Sequence, residues 1–308
     1  MRDVSDHLPL IDVSDGDDAE LGARLDEACR SRGFFVVTGH GVPLDLVAAL
    51  DASARAFFAL PDAEKAEIAM ARGGRAWRGW FPVGGELTSG RPDQKEGLYF
   101  GAELPPTDER PMHGPNLFPA SPAELRGLVL RYLDEMTALG RRLVSLLDTG
   151  FGAGGRLAAL VDAPLVLFRI FGYPAGGEGW GVGEHTDYGL LTILHTDDTG
   201  GLQVRDGESW LDVPPVPGAF VCNIGDMLEK ATGGVYRSTP HRVLNTSSQY
   251  RVSMPCFVDP GWDTRVERLV EGQPTGVARW DDADPHLFDG TYGDYVWSKV
   301  GKVFPDLA

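Results

Sequence analysis

The chain has 308 residues and 43% of them are apolar, enough to bury the core of one large domain or two modest ones. Its 28 Lys and Arg residues are outnumbered by 45 Asp and Glu, and the net charge of −17 argues against nucleic acids and anionic membranes as partners. Three cysteines without a Cys-x-x-Cys pair exclude a disulfide framework and a zinc ribbon, and reduced thiols fit a cytoplasmic protein.

In the first 70 residues, predicted strands and helices alternate. Residues 8–13 predict an extended segment, and residues 34–37 predict a buried strand of Phe and Val. A helix is predicted between them, with Asp18 as its N-cap and Gly33 as its stop. Apolar residues at helical spacing predict a second helix over residues 46–57, and a short third helix follows the next Leu-Pro-Asp turn.

Residues 72–119 are rich in Gly, Pro and aromatic side chains and show neither a helical nor a strand period. We therefore predict irregular structure here. Long loops in compact proteins are often functional, so the segment is expected to form part of a substrate mouth. The sequence leaves open the alternative that its aromatic side chains only pack against the core.

A long helix is predicted over residues 121–148. Ser121 is placed as its N-cap, Pro122 at its first helical position, and Glu124 where it would complete a capping box. Apolar residues then recur at spacings of three and four, which indicates one buried stripe. We expect this helix to buttress the sheet that follows it.

From residue 165 onward, short β-prone runs alternate with turn signals. The predicted strands cover residues 165–171, 190–195, 202–205, 210–213, 219–224, 241–245 and 250–258. Asp206-Gly207 predicts a hairpin between two of them. Many short strands separated by turn residues indicate a sandwich or a barrel, and the jelly roll is the one that commonly holds a metal in its mouth. A short terminal helix is predicted over residues 292–302.

Three residues predict a metal site. His185 and Asp187 are two residues apart on a predicted strand, so their side chains share one face. His241 follows 54 residues after Asp187 (241 minus 187) at the start of another strand. Two His and one carboxylate form the facial triad of non-haem Fe(II) oxygenases, which keeps metal positions open for a co-substrate and dioxygen. The competing interpretation places these side chains in a core or on the surface, and we assign no ligand role to the other five histidines.

Arg251 and Ser253 share the face of another predicted strand. A guanidinium binds a carboxylate through two parallel hydrogen bonds, and a neighbouring hydroxyl can donate one more. The pair therefore suits the distal carboxylate of an organic acid, with a salt bridge to one of the many acids as the alternative. Tyr173 in Gly-Tyr-Pro either adds a phenol to this site or only packs.

An ordered set of motifs resembles the isopenicillin N synthase-like family of Fe(II)/2-oxoglutarate-dependent oxygenases. The motifs are Arg169-x-x-x-Tyr173-Pro174, His185-Thr-Asp187-Tyr-Gly-Leu-Leu-Thr192, Gly201-Leu-Gln-Val204, Asn223-Ile-Gly-Asp226, Tyr236-x-Ser-Thr-Pro-His241-Arg-Val and Arg251-x-Ser253. Phe34-Phe-Val-Val-Thr-Gly-His40-Gly-Val-Pro43 and Asp93-Gln-Lys-Glu96 are similar to the family's N-terminal region.

The resemblance implies a mixed α/β chain with an all-β core, a double-stranded β-helix (jelly roll) flanked by N-terminal and C-terminal helices. It implies an N-terminal mixed region over residues 1–120, a buttressing helix over 121–150, the oxygenase core over 151–275 and a C-terminal helical tail over 276–308. It also implies that His185, Asp187 and His241 hold Fe(II). Arg251 and Ser253, with Tyr173, would then bind the co-substrate 2-oxoglutarate.

The implied reaction uses dioxygen, is stimulated by ascorbate, and hydroxylates, desaturates or cyclises a small molecule while releasing succinate and CO2. Two alternatives stay open. The synthase that names the family keeps an Arg-x-Ser pair without using 2-oxoglutarate, so an oxidase of that type is one. A jelly-roll metal- or ligand-binding protein without turnover is the other.

The substrate is not specified by the sequence, and a free amino acid, a polyketide, a terpenoid or an alkaloid would fit. We expect pocket walls from residues 72–100, from the stretch around Trp180 and from the C-terminal tail. No stretch reaches the roughly 20 apolar residues of a membrane span, and residues 1–7 are too acidic for a signal peptide. We expect a soluble cytoplasmic monomer without membrane or nucleic-acid partners.

Overall fold

The computed structural model describes residues 7–177, 179–271 and 284–303. Helices in these ranges are α1 Asp18–Ser31, α2 Leu44–Phe58, α3 Asp62–Lys65, α4 Leu125–Phe151, α5 Asp226–Ala231 and α6 Tyr292–Val303. The strands before α4 are β1 Leu10–Asp12, β2 Phe34–Thr38, β3 Gly79–Phe81, β4 Leu87–Thr88, β5 Arg91–Pro92 and β6 Glu96–Gly101. Those after it are β7 Leu165–Tyr173, β8 Val182–His185, β9 Leu191–Thr196, β10 Leu202–Asp206, β11 Ser209–Val213, β12 Phe220–Ile224, β13 His241–Val243 and β14 Arg251–Asp259.

Two sheets carry the architecture. The larger has eight strands in the order β1-β2-β12-β9-β14-β7-β6-β3, and the smaller has four in the order β11-β10-β13-β8. All neighbouring strands are antiparallel except β1 and β2, which are parallel. Strands that are far apart in sequence are neighbours in both sheets, so each sheet joins distant segments. With the helices, the chain forms a large mixed sheet with helical cover.

Helix α4 is the long helix predicted before the strands, but its predicted start was wrong. It begins at Leu125. The residues just before it form a separate turn, in which the Leu125 amide donates to the Pro122 carbonyl at 3.3 Å. Glu124 makes no side-chain cap. The helix ends at Phe151, and Gly152 caps it with a φ of 74°, a left-handed conformation that glycine adopts without cost. It buries Leu125, Val129, Tyr132, Met136, Leu143, Val144 and Leu147 on one face.

The other N-terminal predictions were confirmed with one shift. Asp17, not Asp18, caps α1, because its carboxylate accepts the Glu20 amide hydrogen at 2.9 Å while Asp18 is already the first helical residue. Strand β2 and helices α2 and α3 lie where the apolar pattern placed them. These elements bury apolar faces against the large sheet and α4.

The prediction of irregular structure over residues 72–119 was wrong for β3 and β6. All six residues of β6 are buried, and the strand pairs with β7 from Glu96 opposite Gly172 to Gly101 opposite Leu167. Two glycines in β6 weaken its strand pattern, and its partner lies some 70 residues away in sequence. The sequence therefore gave little local signal for this strand.

The seven strand ranges predicted after residue 165 were confirmed to within about two residues, and β8 is an additional strand outside them. The hairpin at Asp206-Gly207 joins β10 and β11, with Gly207 at φ 62°. Helix α5 was not predicted, whereas α6 was. The predicted C-terminal tail over residues 276–308 lies outside the described residues except for 284–303. In the described ranges, every helix is too short or too polar to cross a lipid bilayer.

Candidate metal centre

His185, Asp187 and His241 lie close together at one edge of the small sheet. His185 ends β8 and His241 begins β13, and the two are directly paired across the antiparallel strands. Asp187 lies two residues past the end of β8, so the prediction that it shares a strand face with His185 was wrong. The chain turns after His185 and brings Asp187 Oδ1 to 3.8 Å from Nε2 of each histidine. The three donor atoms lie within 4.8 Å of one another.

The ring orientation of both histidines is set by backbone carbonyls. His185 Nδ1 is 2.8 Å from the Gly183 oxygen, and His241 Nδ1 is 3.2 Å from the Thr239 oxygen. A carbonyl only accepts, so each Nδ1 carries the hydrogen and each Nε2 presents its lone pair to the centre. Burial, and then the neighbouring His185, lower the pKa of His241 to about 4. The His241 imidazole is therefore neutral at neutral pH.

Asp187 is held by two polar side chains from the large sheet. The Thr192 hydroxyl and the Asn223 amide both donate to Oδ2, the latter at 2.6 Å. Thr192 and Asn223 are directly paired between β9 and β12. Burial works to raise the pKa of Asp187, but the two histidines and these donors outweigh it and hold the pKa below its usual value. Oδ2 is thus occupied, and Oδ1 faces the histidines.

Sequence reasoning assigned no role to Thr192 or Asn223. A signal was present for Asn223, which is the single polar residue of an otherwise apolar strand, but not for Thr192, which shares β9 with His195 and Thr196. Buried polar side chains need hydrogen-bond partners, and here the partner is the carboxylate. The donor set of two imidazoles and one ionised carboxylate on one side, with a cavity on the other, fits Fe(II) with open positions.

Arg251, Ser253 and Tyr173 meet on neighbouring strands, with Arg251 of β14 paired to Tyr173 of β7. Arg251 is fully buried, and its Nε donates to the Gly200 carbonyl at 2.6 Å. Its Nη1 and Nη2 have no hydrogen-bond partner in the described part of the chain, so the alternative of a salt bridge is not observed there. The Tyr173 hydroxyl lies 3.1 Å from Ser253 Oγ, and the Tyr173 ring lies 4.6 Å below the guanidinium. Two unpaired NH2 groups with two adjacent hydroxyls match a carboxylate.

A cavity of about 160 Å³ joins the two clusters. Its wall includes residues of the predicted mouth segment and of α6, as expected from sequence, among them Trp77, Leu87, Tyr99, Tyr292, Val296 and Val300. From the stretch around Trp180, Val182 lines the cavity, whereas the Trp180 ring lies 4.2 Å from the Arg242 guanidinium. Among the described residues, the remaining histidines stay outside the metal cluster.

Comparison with known proteins agrees with this geometry. Residues 163–260 match the model of the 2OG-Fe(II) oxygenase superfamily, and residues 8–121 match the N-terminal model of non-haem dioxygenases in morphine synthesis. A probable iron/ascorbate oxidoreductase of Dictyostelium discoideum is 42% identical, with 98% of this chain and 96% of that protein covered. A homoarginine-6-hydroxylase of Arabidopsis thaliana is 38% identical, over 85% of this chain and 87% of the relative.

Among solved structures, full-length Neurospora crassa T7H in complex with alpha-KG and thymine superposes with a TM-score of 0.79 at 25% identity. The match covers 96% of both chains. Sequence relatives, family models and structure thus agree over nearly the whole length. The chain belongs to the isopenicillin N synthase-like family of Fe(II)/2-oxoglutarate-dependent oxygenases and is a dioxygenase that oxidises small molecules.

Proposed function

We propose that His185, Asp187 and His241 hold the catalytic Fe(II), and that Arg251, Ser253 and Tyr173 bind the distal carboxylate of 2-oxoglutarate. One observation carries the proposal: three donor atoms from separate points of the chain lie within 4.8 Å of one another, facing a cavity that also contains the unpaired guanidinium. Each donor is fixed by a hydrogen bond on its far side, which is how metal sites orient their ligands.

The protein's contribution to the reaction is position and exclusion of water. When bound, Fe(II), 2-oxoglutarate and dioxygen supply the oxidising chemistry, in which 2-oxoglutarate loses CO2 to give succinate while the substrate is oxidised. Arg251 and the two hydroxyls fix one end of the co-substrate, so that its other end reaches the metal side of the cavity. The apolar wall formed by Trp77, Val296 and Val300 keeps water from the substrate side.

The two sheets support the finer fold expected from sequence. The small sheet contributes both histidines, and the large sheet contributes Thr192, Asn223 and the Arg251 cluster to the same cavity. We therefore propose that the sheets are the two halves of a double-stranded β-helix over residues 151–275. The N-terminal region over 1–120, the helix over 121–150 and the segment over 276–308 would cover it.

We propose a free amino acid as the substrate. A cavity of about 160 Å³ holds a small molecule, and the Arabidopsis thaliana relative is named for its action on homoarginine. Three buried, unpaired cysteines support a cytoplasmic location. The acidic surface supports a protein that binds neither nucleic acids nor membranes, and we propose that it acts as a monomer.

The test is succinate release with Fe(II), ascorbate, 2-oxoglutarate and a panel of amino acids. We expect a substrate to give one succinate for each oxidised product. His185→Ala and Asp187→Ala should lose iron and turnover, whereas His195→Ala, a histidine substitution on β9 outside the cluster, should keep both. Substrate oxidation without succinate would show an oxidase that does not use 2-oxoglutarate. Near-normal turnover of either ligand variant would contradict the assigned metal site.

A further inference from the structure

Arg169 is a buried cation that lines the cavity. It lies in the middle of β7, and its side chain is only 6% exposed. Side chains alternate along a strand, so Arg169 shares the inward face with Leu167, Phe171 and Tyr173. All four line the cavity. The guanidinium is therefore shielded from bulk water but borders the space that a substrate would occupy.

The Arg169 guanidinium makes no direct ion pair with the described residues around it. Its Nη1 has no hydrogen-bond partner among the described residues, and no carboxylate of those residues lies within 4.0 Å of the guanidinium. Asp259 is a nearby acid whose pKa is raised by burial, a rise that the charge of Arg169 offsets in part. Its carboxylate already accepts hydrogen bonds from the Leu190 amide at 3.1 Å and from the Tyr292 hydroxyl at 2.5 Å. A buried charge without a partner is strongly unfavourable, so such a group indicates a missing anion.

A network of buried side chains holds Arg169 in place. Its guanidinium carbon lies 3.4 Å from the centre of the Tyr99 ring. The Tyr99 hydroxyl donates to Glu86 Oε1, and Glu86 Oε2 forms an ion pair with Lys95 Nζ at 2.8 Å. Lys95 also pairs with Asp93. Lys95 is thus shared between two carboxylates, and the network fixes the aromatic ring on which the guanidinium rests.

Arg169 and Arg251 cannot hold the same carboxylate. Arg251 is paired with Tyr173, and Arg169 lies four residues before Tyr173 on the same strand. At about 3.3 Å per residue, the two positions are separated by roughly 13 Å along β7. Arg251 already has two hydroxyl neighbours that complete a carboxylate site, whereas Arg169 has an aromatic ring. The cavity therefore contains two separate sites for anionic groups.

We propose that Arg169 binds the carboxylate of the substrate that is oxidised, which makes the substrate an organic acid, with free amino acids as one case. The inference rests on the proposed function, because it needs Arg251 to be taken by 2-oxoglutarate. A guanidinium preorganised on an aromatic ring loses little freedom on binding, and it selects a carboxylate over a neutral amide by charge and by paired hydrogen bonds.

The first test compares carboxylates with their amides. Succinate release is measured for amino acids and other small organic acids, each beside its carboxamide. We expect the amide to have a KM roughly 10- to 100-fold higher, and Arg169→Gln to raise the KM of the acid by a similar factor. Arg169→Gln should also remove the preference for the acid, while the KM for 2-oxoglutarate changes less than about twofold. Arg169→Lys, which keeps the charge, should restore part of the preference.

Arg126→Gln is the matched control, since it removes an arginine that is half exposed and paired with Glu103 on the surface. Equal use of acids and amides by the wild-type enzyme would overturn the proposal. So would a rise in the KM for 2-oxoglutarate alone in Arg169→Gln, which would place the co-substrate at this residue.

A second test does not depend on turnover. The same acid and amide pairs are titrated without dioxygen, and tryptophan fluorescence is followed because Trp77 lines the cavity. Tighter binding of the acid that is lost in Arg169→Gln supports the proposal even if no compound is oxidised, whereas equal binding of acid and amide overturns it. Absence of succinate with every compound would count against the proposed function alone.

Thermal unfolding of the ligand-free protein gives an independent answer. Arg169→Met removes the unpaired charge while keeping a long apolar side chain against Tyr99, so we expect a Tm equal to or higher than that of the wild type. A clear fall in Tm would show that Arg169 serves the fold, and would overturn its assignment to the substrate.

Discussion

The two side chains that hold Asp187 allow a sharp test of the metal site. Asn223 donates to Asp187 Oδ2 at 2.6 Å, and Thr192 donates to the same oxygen. Asn223→Ala removes one of these bonds without touching a metal-binding atom. A hydrogen bond to a charged group is worth about 1.5–3 kcal/mol, and every 1.4 kcal/mol is a factor of ten. We therefore expect Fe(II) affinity to fall about 10- to 100-fold, the range known for partners of metal ligands.

The assay is succinate release at increasing Fe(II), together with equilibrium dialysis of the ion without dioxygen. Asn223→Ala and Thr192→Val should each raise the apparent Kd for Fe(II), and saturating iron should return most of the turnover. Asn116→Ala, which removes a buried asparagine that binds Gly101 and Glu103 instead, should leave the Kd unchanged. An Asn223→Ala Kd within twofold of the wild-type value would refute the claim that Oδ2 anchoring orients Asp187 toward the metal.

Three further predictions concern the co-substrate, pH and packing. Arg251→Gln removes the two unpaired NH2 groups that face the cavity, and steady-state kinetics should show a KM for 2-oxoglutarate at least about 100-fold higher. An unchanged KM would contradict the assignment. Burial raises the pKa of Asp259 to about 7 from an ordinary value of 3.8, so the folded protein binds a proton that the unfolded chain has lost. Stability contributed by this group should fall as pH rises from about 4 to about 7, and urea unfolding of Asp259→Asn should show a flatter pH profile; an identical profile would argue against it. Gly150→Ala would bring a methyl group to 2.0 Å from the Gly22 carbonyl oxygen, where α1 packs against α4. It should therefore lower the free energy of unfolding by about 1–3 kcal/mol. Gly127→Ala, on the exposed face of α4, meets nothing within 4 Å and should leave the free energy of unfolding unchanged.

The proposed metal ligands were predictable because their signal is local and chemical. The sequence shows a His-x-Asp pair before an apolar strand and a distant His at the start of a strand, and neither needs the strand register to be recognised. The pair proposed to bind a carboxylate was predictable for the same reason, since Arg251 and Ser253 share a strand face. Even so, the position of Asp187 beyond β8 was not predicted, because a turn brings it to the histidines and a strand does not.

The cavity wall was less predictable, because it depends on pairings between distant strands. Strand β6 contains two glycines and is recognisable only through its pairing with β7. That pairing places Tyr99 opposite Arg169 and so creates the site proposed for the substrate carboxylate. In the sequence, Arg169 is one charged residue in an apolar run, and the pattern does not show whether such a charge meets an acid or a cavity.

Anomalous diffraction at the iron edge, from crystals grown with Fe(II) and 2-oxoglutarate without dioxygen, shows where this protein binds iron and its co-substrate. We predict one strong peak bound by Nε2 of His185, Nε2 of His241 and Oδ1 of Asp187, with 2-oxoglutarate extending from it to Arg251. An iron peak bound by other residues, or fully bound iron with 2-oxoglutarate away from Arg251, would contradict it.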